Sequence, residues 1–119
     1  MPLYNLHKFY AHSGKLLNWK IDCDNLTIED WECLAFIISK NVLFSEVEGV
    51  PTGGILLAEA LIKYITPTST YLLIVDDVLT TGKSMEEQRK GRGAVGYVVY
   101  SRITLPSWIR TIWELKSDA

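Results

Sequence analysis

The residues of this chain with the clearest chemical potential lie in one run, from Asp76 to Ser84. Asp76 and Asp77 are adjacent carboxylates that follow an apolar segment, 71–75, whose composition predicts a strand buried on both faces. Hydroxyl, glycine and lysine residues come next: Thr80, Thr81, Gly82, Lys83 and Ser84. A small-residue loop between a strand and a helix directs backbone N–H groups at one point, which suits a phosphate group. The carboxylates suit hydroxyl groups, or a metal ion held by the same ligand.

A second unit of the same kind precedes this run. Residues 42–47 predict a strand, 49–54 form a glycine-containing loop, and 55–65 predict a helix that is apolar on nearly every side. Glycine at such a junction lets the backbone approach a ligand closely. A tight turn packed against a sheet also explains the pair Gly53-Gly54 when it is considered alone.

The rest of the chain predicts further alternation of helices and strands. A helix begins after Thr27, an N-cap that forms a capping box with Asp30. Short elements are expected before this helix, including a strand over 16–21. From the central run onward the sequence predicts four elements: a strand over 71–75, a helix over 84–90, a strand over 94–100 and a helix over 108–115. This order predicts one α/β domain over residues 1–119, with a mostly parallel central sheet flanked by helices and right-handed connections. Because ligands bind at the carboxyl ends of such strands, both glycine loops should lie at one edge.

Composition excludes several classes of protein. A net charge of −2 and a pI near 5.6 provide no basic surface, so nucleic acid is not an expected partner. No apolar run approaches the roughly 20 residues that span a bilayer, and we expect no membrane association and a cytoplasmic location. Cys23 and Cys33 form no C-x-x-C pair and are expected to be reduced. With His7 and His12 they form no metal-ligand pattern.

Two familiar interpretations of the central run fail on spacing. Thr81-Gly82-Lys83-Ser84 ends like a P-loop, but the position five residues before Gly82, where that motif needs glycine, holds Asp77, which would repel phosphates. A receiver domain would place its acidic pair on the first strand and a further aspartate on a later strand. Here the pair lies beyond the middle of the chain, and the next aspartate is Asp118.

The segment Leu72–Ser84 resembles the phosphoribosyl-pyrophosphate (PRPP) motif of type I phosphoribosyltransferases, with an apolar strand, two acidic residues and then Thr-Thr-Gly. The loop 49–54 resembles the pyrophosphate loop of that family. The segment from His12 to Asp24 resembles the amino-terminal Ser-Gly region of orotate phosphoribosyltransferases, the group closest in pattern, where it belongs to the hood over the base. The resemblance therefore implies a minimal type I phosphoribosyltransferase fold in which residues 1–26 form a reduced hood.

The resemblance also implies a role for each part of the site. Asp76 and Asp77 would hold the ribose hydroxyls of PRPP, and 80–84 would hold its 5-phosphate. The pyrophosphate would lie on Thr52, Gly53 and Gly54, and the base side would include Ser13, Gly14 and Lys15. Mg²⁺ would be bound through PRPP without direct protein ligands. The reaction would transfer phosphoribosyl to a nucleobase, with an orotate-like pyrimidine favoured, and the family pattern implies a homodimer.

The sequence departs from the family at several points. Thr52 stands where a basic residue often lies, and Lys83 where a small residue is common. The interval 55–70, in which Lys63 is the only basic residue, has no room for the further strand and flexible catalytic loop that the family usually places there. Three hypotheses follow: a transferase, a non-catalytic module that binds PRPP or a nucleotide and regulates a partner, or a structural relic.

Overall fold

The computed structural model describes residues 4–5, 9–10, 16–17, 20–21 and 26–114. The helices and strands, in chain order, are β1 (Tyr4–Asn5), β2 (Phe9–Tyr10), β3 (Leu16–Leu17), β4 (Lys20–Ile21), α1 (Ile28–Ser39), β5 (Glu46–Gly49), α2 (Ile55–Leu61), a 3₁₀ turn (Ile62–Tyr64), β6 (Leu72–Leu79), α3 (Lys83–Arg89), β7 (Val95–Ser101) and β8 (Ile109–Glu114). The expected base-side residues, Ser13, Gly14 and Lys15, and also Cys23, lie outside the described residues. The expected strand over 16–21 is replaced by β3 and β4, which pair antiparallel with β2 and β1.

The centre of the molecule is a parallel sheet with the order β5-β6-β7-β8. The α/β class with a parallel sheet flanked by helices is thus confirmed. β6, the longest strand, lies inside the sheet and is apolar and buried from Leu72 to Val75, as its continuous hydrophobic run predicts. No helix in the described ranges is long and apolar enough to cross a membrane.

Alternate side chains of β6 divide the core into two layers. Leu73 and Val75 pack with α1 and α2 on one face of the sheet. Leu72 and Ile74 pack on the other face with Met85 of α3. The period of two along a strand thus lets one apolar segment support helices on both faces.

The connections between the strands do not all have the same hand. The chain crosses the sheet in one direction, from β5 to β6 to β7, but α2 covers one face and α3 the other. The β5–α2–β6 connection therefore has the opposite hand to β6–α3–β7, whereas right-handed connections are the general rule. The expectation of uniformly right-handed connections is wrong at one of the two helical connections.

Helix α1 begins as its sequence predicts. The Asp30 N–H donates to Thr27 Oγ1 at 3.1 Å, and the Thr27 N–H donates to Asp30 Oδ2 at 2.9 Å. This reciprocal capping box satisfies two N–H groups that the first turn leaves without partners. Trp31, Leu34 and Ile38 are buried at helical spacing, which confirms Trp31 as a core residue.

The predicted last helix over 108–115 is wrong, because Ile109–Glu114 form strand β8 beside β7. Ile109 lies next to Gly96 in the register, and a Cβ on Gly96 would come 2.9 Å from Ile109 Cγ1. Because Gly96 has no side chain, Ile109 has room to pack beside it. The return from β7 uses only residues 102–108, whose Ile103, Leu105 and Trp108 pack on the α3 face. The apolar spacing that indicated a helix reflects this packing and the pairing with β7.

The edge strand β5 is joined to the end of α3 by one ionic network. The Arg92 guanidinium donates to both Glu48 carboxylate oxygens at 2.8 Å, and Gln88 Nε2 donates to Glu48 Oε1 at 2.9 Å. The Arg92 hydrogen bonds, followed by the one from Gln88, lower the pKa of Glu48 from 4.5 to about 2. This network links Glu48 of β5 to Gln88 of α3 and to Arg92, which follows the end of that helix.

We expect Glu48→Gln to lower the free energy of unfolding at pH 7 by about 1 kcal/mol, the upper range for a partly exposed ion pair. A depressed carboxyl pKa adds stability above pH 4.5 that is lost as the pH falls towards 2, so the variant and the wild type should converge at low pH. Urea unfolding at several pH values measures this difference. Glu46→Gln, at an exposed position of the same strand, is the control, and an equal effect of both substitutions would contradict a specific role for Glu48.

Candidate functional site

Strand β6 continues through the acidic pair instead of ending before it. Asp76 pairs in register with Val98, and the strand ends only at Leu79. The prediction that the strand stops at Val75 is therefore wrong. The longer strand has a consequence for the site, because backbone pairing to β7 holds the carboxylates in place.

The two carboxyl groups are close enough to interact. The Asp77 N–H donates to Asp76 Oδ1 at 2.8 Å, and the Val78 N–H donates to Asp77 Oδ1 at 2.7 Å. Asp76 is only 8% exposed. Burial first, and the neighbouring Asp77 carboxyl second, raise the pKa of Asp76 from 3.8 to about 8. At neutral pH the ligand-free pair therefore retains a proton, and it can both donate and accept hydrogen bonds with ligand hydroxyl groups.

The loop after β6 presents backbone N–H groups with no protein acceptor. Gly82 has φ of +85°, a conformation that favours glycine, and its carbonyl accepts from the Glu86 N–H at 3.1 Å. The Lys83 N–H donates to Thr81 Oγ1 at 3.3 Å. Five other N–H groups in this loop and the first turn of α3 donate to no oxygen of the described residues. They belong to Thr80, Thr81, Gly82, Ser84 and Met85. Successive unpaired N–H groups in a tight loop form a concave anion site.

Asp76 and this loop line the same small pocket, about 30 Å³ in volume. Its lining consists of Asp76, Val78, Leu79, Thr80, Thr81, Gly82, Ser84 and Met85. Most of the residues predicted for the ribose hydroxyls and the 5-phosphate are thus adjacent in space. Lys83 is exposed and does not belong to the lining.

The loop 49–54 packs against the same end of β6. A Cβ on Gly54 would lie 2.3 Å from the Val75 carbonyl oxygen, and a Cβ on Gly53 would lie 2.6 Å from the Asp77 carboxyl group. The Val50 N–H donates to the Val75 carbonyl at 2.9 Å, and the Pro51–Thr52 peptide bond is cis. The expectation that both glycine loops lie at one edge of the sheet is confirmed. Gly54 is required by close backbone packing, whereas Gly53 packs against the Asp77 side chain.

A further pocket of about 270 Å³, which was not predicted from the sequence, lies between this loop and α3. Its lining is Val50, Pro51, Ser84, Glu87 and Gln88. Ser84, Glu87 and Gln88 follow the spacing i, i+3, i+4, which places them on one face of a helix. This spacing can be seen in the sequence, but it does not by itself indicate a pocket. The pocket forms because the loop 49–54 lies opposite this face of α3.

The interval between the two loops contains α2, the 3₁₀ turn and a short connection, and every residue of it is described. It has no additional strand and no long loop. Lys63, its one basic residue, pairs with Glu32 of α1. This interval therefore brings no cation to the site.

No protein-family model matches the sequence, and no curated protein matches it. Solved structures do match in fold. The orotate phosphoribosyltransferase of Aeropyrum pernix superposes with a TM-score of 0.72 at 18% identity, over 95% of this chain and 88% of that chain. The orotate phosphoribosyltransferase of Francisella tularensis gives 0.68 at 16% identity, over 94% of this chain and 80% of that chain. The xanthine-guanine-hypoxanthine phosphoribosyltransferase of Helicobacter pylori gives 0.51 at 13% identity, over 71% and 88%.

The chain therefore has a type I phosphoribosyltransferase-like α/β fold. The resemblance to orotate phosphoribosyltransferases, first indicated by the segment 72–84, extends to the tertiary structure. At these identities the likeness concerns the fold.

Proposed function

We propose that this chain binds a ribose 5-phosphate ester, and that it transfers the phosphoribosyl group of PRPP to a nucleobase. The observation that carries the proposal is the pocket in which Asp76 faces the unpaired N–H groups of the loop after β6. A sugar phosphate needs these two kinds of group within a few ångströms of each other. The fold shared with orotate phosphoribosyltransferases supports the same ligand class.

In this proposal each part of the site has one role. Asp76 and Asp77 bind the ribose hydroxyls, Thr80–Ser84 bind the 5-phosphate, and Thr52, Gly53 and Gly54 face the pyrophosphate. Ser13–Lys15 remain the predicted base-side residues, and an orotate-like pyrimidine remains the favoured base. The pair of acidic oxygens beside a phosphate site suits Mg²⁺ bound mainly through the ligand, where the ion would neutralise the charge of the pyrophosphate. The chain's own contribution to transfer is orientation of the ribose and stabilisation of positive charge at its anomeric carbon.

A second candidate function is a non-catalytic module that binds PRPP or a nucleotide. The interval 55–70 favours it, because this interval contains no loop able to close over the ligand and no free cation. A site that cannot exclude water or stabilise a departing pyrophosphate is better suited to binding than to transfer.

We expect the double substitution Asp76→Asn, Asp77→Asn to weaken PRPP binding by about 100-fold, because hydrogen bonds to charged groups contribute roughly 1.5–3 kcal/mol each. Calorimetric titration with PRPP and Mg²⁺ measures the change. Glu46→Gln, at an exposed position of β5, is the control and should bind as the wild type does. Equal binding by the double variant and the wild type, or no binding by either, would contradict the proposed site.

Release of pyrophosphate separates the two candidate functions. The assay contains PRPP, Mg²⁺ and, in parallel, orotate, uracil or purine bases at high protein concentration. Release with one of the bases supports the transferase. If PRPP binds but no base gives release, the binding module is correct.

A further inference from the structure

The two loops of the site differ in their capacity to bind anions. The loop after β6 offers the unpaired N–H groups of Thr80, Thr81, Gly82, Ser84 and Met85, together with three hydroxyl groups and the adjacent Lys83. Such a set of donors is sufficient to hold one phosphate group.

The loop 49–54 has far fewer donors. The N–H groups of Val50, Gly54 and Ile55 are already bonded to carbonyl oxygens, and Pro51 has none. Among the described residues 50–55, the N–H groups of Thr52 and Gly53 donate to no described acceptor, and the Thr52 hydroxyl is also free to bind a ligand. An anion on this loop would therefore meet few donors.

The charges near the loop 49–54 are also unfavourable for an anion. The Asp77 carboxyl group packs against Gly53, so closely that a Cβ there would lie 2.6 Å from it. Glu87 lines the adjoining pocket, whose described lining contains neither lysine nor arginine. Asp77 belongs to the acidic pair that the resemblance assigns to the ribose hydroxyls of PRPP, so Glu87, with no cation in the described lining to offset it, is the charge that disfavours a pyrophosphate here.

The geometry points to a site that prefers a nucleoside 5′-monophosphate to PRPP. This inference rests on the proposed function, since it assumes that the ribose 5-phosphate lies between Asp76 and the loop after β6. A nucleoside monophosphate and PRPP present the same phosphate and ribose hydroxyls there. They differ at the anomeric carbon, which carries a base (uncharged in uridine 5′-monophosphate) in one and a highly charged pyrophosphate in the other. Few donors in the loop 49–54 and the Glu87 carboxylate beside it disfavour the pyrophosphate.

The full chain is titrated calorimetrically with ribose 5-phosphate, uridine 5′-monophosphate and PRPP, each with Mg²⁺. We expect uridine monophosphate to bind more tightly than PRPP, and PRPP to bind no more tightly than ribose 5-phosphate. If PRPP binds more than threefold more tightly than ribose 5-phosphate, the inference is wrong while the proposed site stands. If none of the three binds, the proposed function is wrong and the inference with it.

A charge reversal tests the cause of the preference. Glu87→Lys should increase PRPP affinity about fivefold, as expected when a partly exposed repulsion becomes an attraction, and should change ribose 5-phosphate affinity less than twofold. Glu59→Lys makes the same change of charge in the separate groove between α1 and α2 and should leave both affinities unchanged. If the two substitutions change PRPP affinity equally, the Glu87 carboxylate is not the cause of the preference for a nucleoside monophosphate over PRPP.

Discussion

Asp76→Asn should stabilise the ligand-free protein at pH 8 by up to about 5 kcal/mol and should have little effect at pH 4. In the unfolded chain an aspartate releases its proton near pH 3.8, whereas burial and the neighbouring Asp77 keep Asp76 protonated in the folded protein up to about pH 8. Between these values the folded state binds more protons than the unfolded state. The contribution of Asp76 to stability therefore falls as the pH rises, and asparagine, which does not titrate, removes that loss.

Urea unfolding at pH values from 4 to 9 measures the difference in free energy of unfolding between the variant and the wild type. The contributions of the other titrating groups are the same in both proteins and cancel in this difference. Asparagine retains an Oδ1 atom that can accept from the Asp77 N–H, so the local backbone contact is preserved. Parallel pH profiles for variant and wild type would contradict the buried, protonated Asp76. A stabilising substitution that abolishes ligand binding would show that the acidic pair is kept for binding at a cost in stability.

Gly54→Ala should destabilise the fold by about 3 kcal/mol, near the upper range for overpacking of a tightly packed site. The new Cβ would lie 2.3 Å from the Val75 carbonyl oxygen and 2.7 Å from the Val50 nitrogen, and both are backbone atoms that cannot move aside alone. These atoms also form the hydrogen bond that joins the loop 49–54 to β6. The substitution should therefore separate the two loops and weaken PRPP binding as well.

Gly93→Ala is the matched control, because a Cβ at that position meets no atom within 4 Å. We expect it to change the free energy of unfolding by less than about 0.5 kcal/mol. Both variants are compared by urea unfolding, followed by tryptophan fluorescence and circular dichroism. Equal stability of the two variants would mean that the loop 49–54 does not pack on β6 as described.

Elements with a strong local signal are predicted with the right type and in the right place, although strand β6 continues to Leu79. The apolar run before Asp76, the capping box of α1 and the glycine junctions all depend on residues near one another in the chain. Strand β8 lacks such a signal, because its state depends on pairing with β7 and on the space left at Gly96. Ile109, Ile112 and Trp113 match a helical repeat over so short a segment, and only partners distant in the chain decide between helix and strand.

By itself, the sequence determined the α/β class, the acidic pair and the loop of hydroxyl and glycine residues, since each is a local pattern of residue types. Only the tertiary structure decided how these groups act together. It buried Asp76, packed Gly53 on the Asp77 carboxyl group and left the N–H groups after β6 unpaired, whereas those of Val50 and Gly54 are bonded to carbonyl oxygens. Burial, close approach and hydrogen-bond satisfaction arise from contacts between distant segments, and a linear pattern does not contain them.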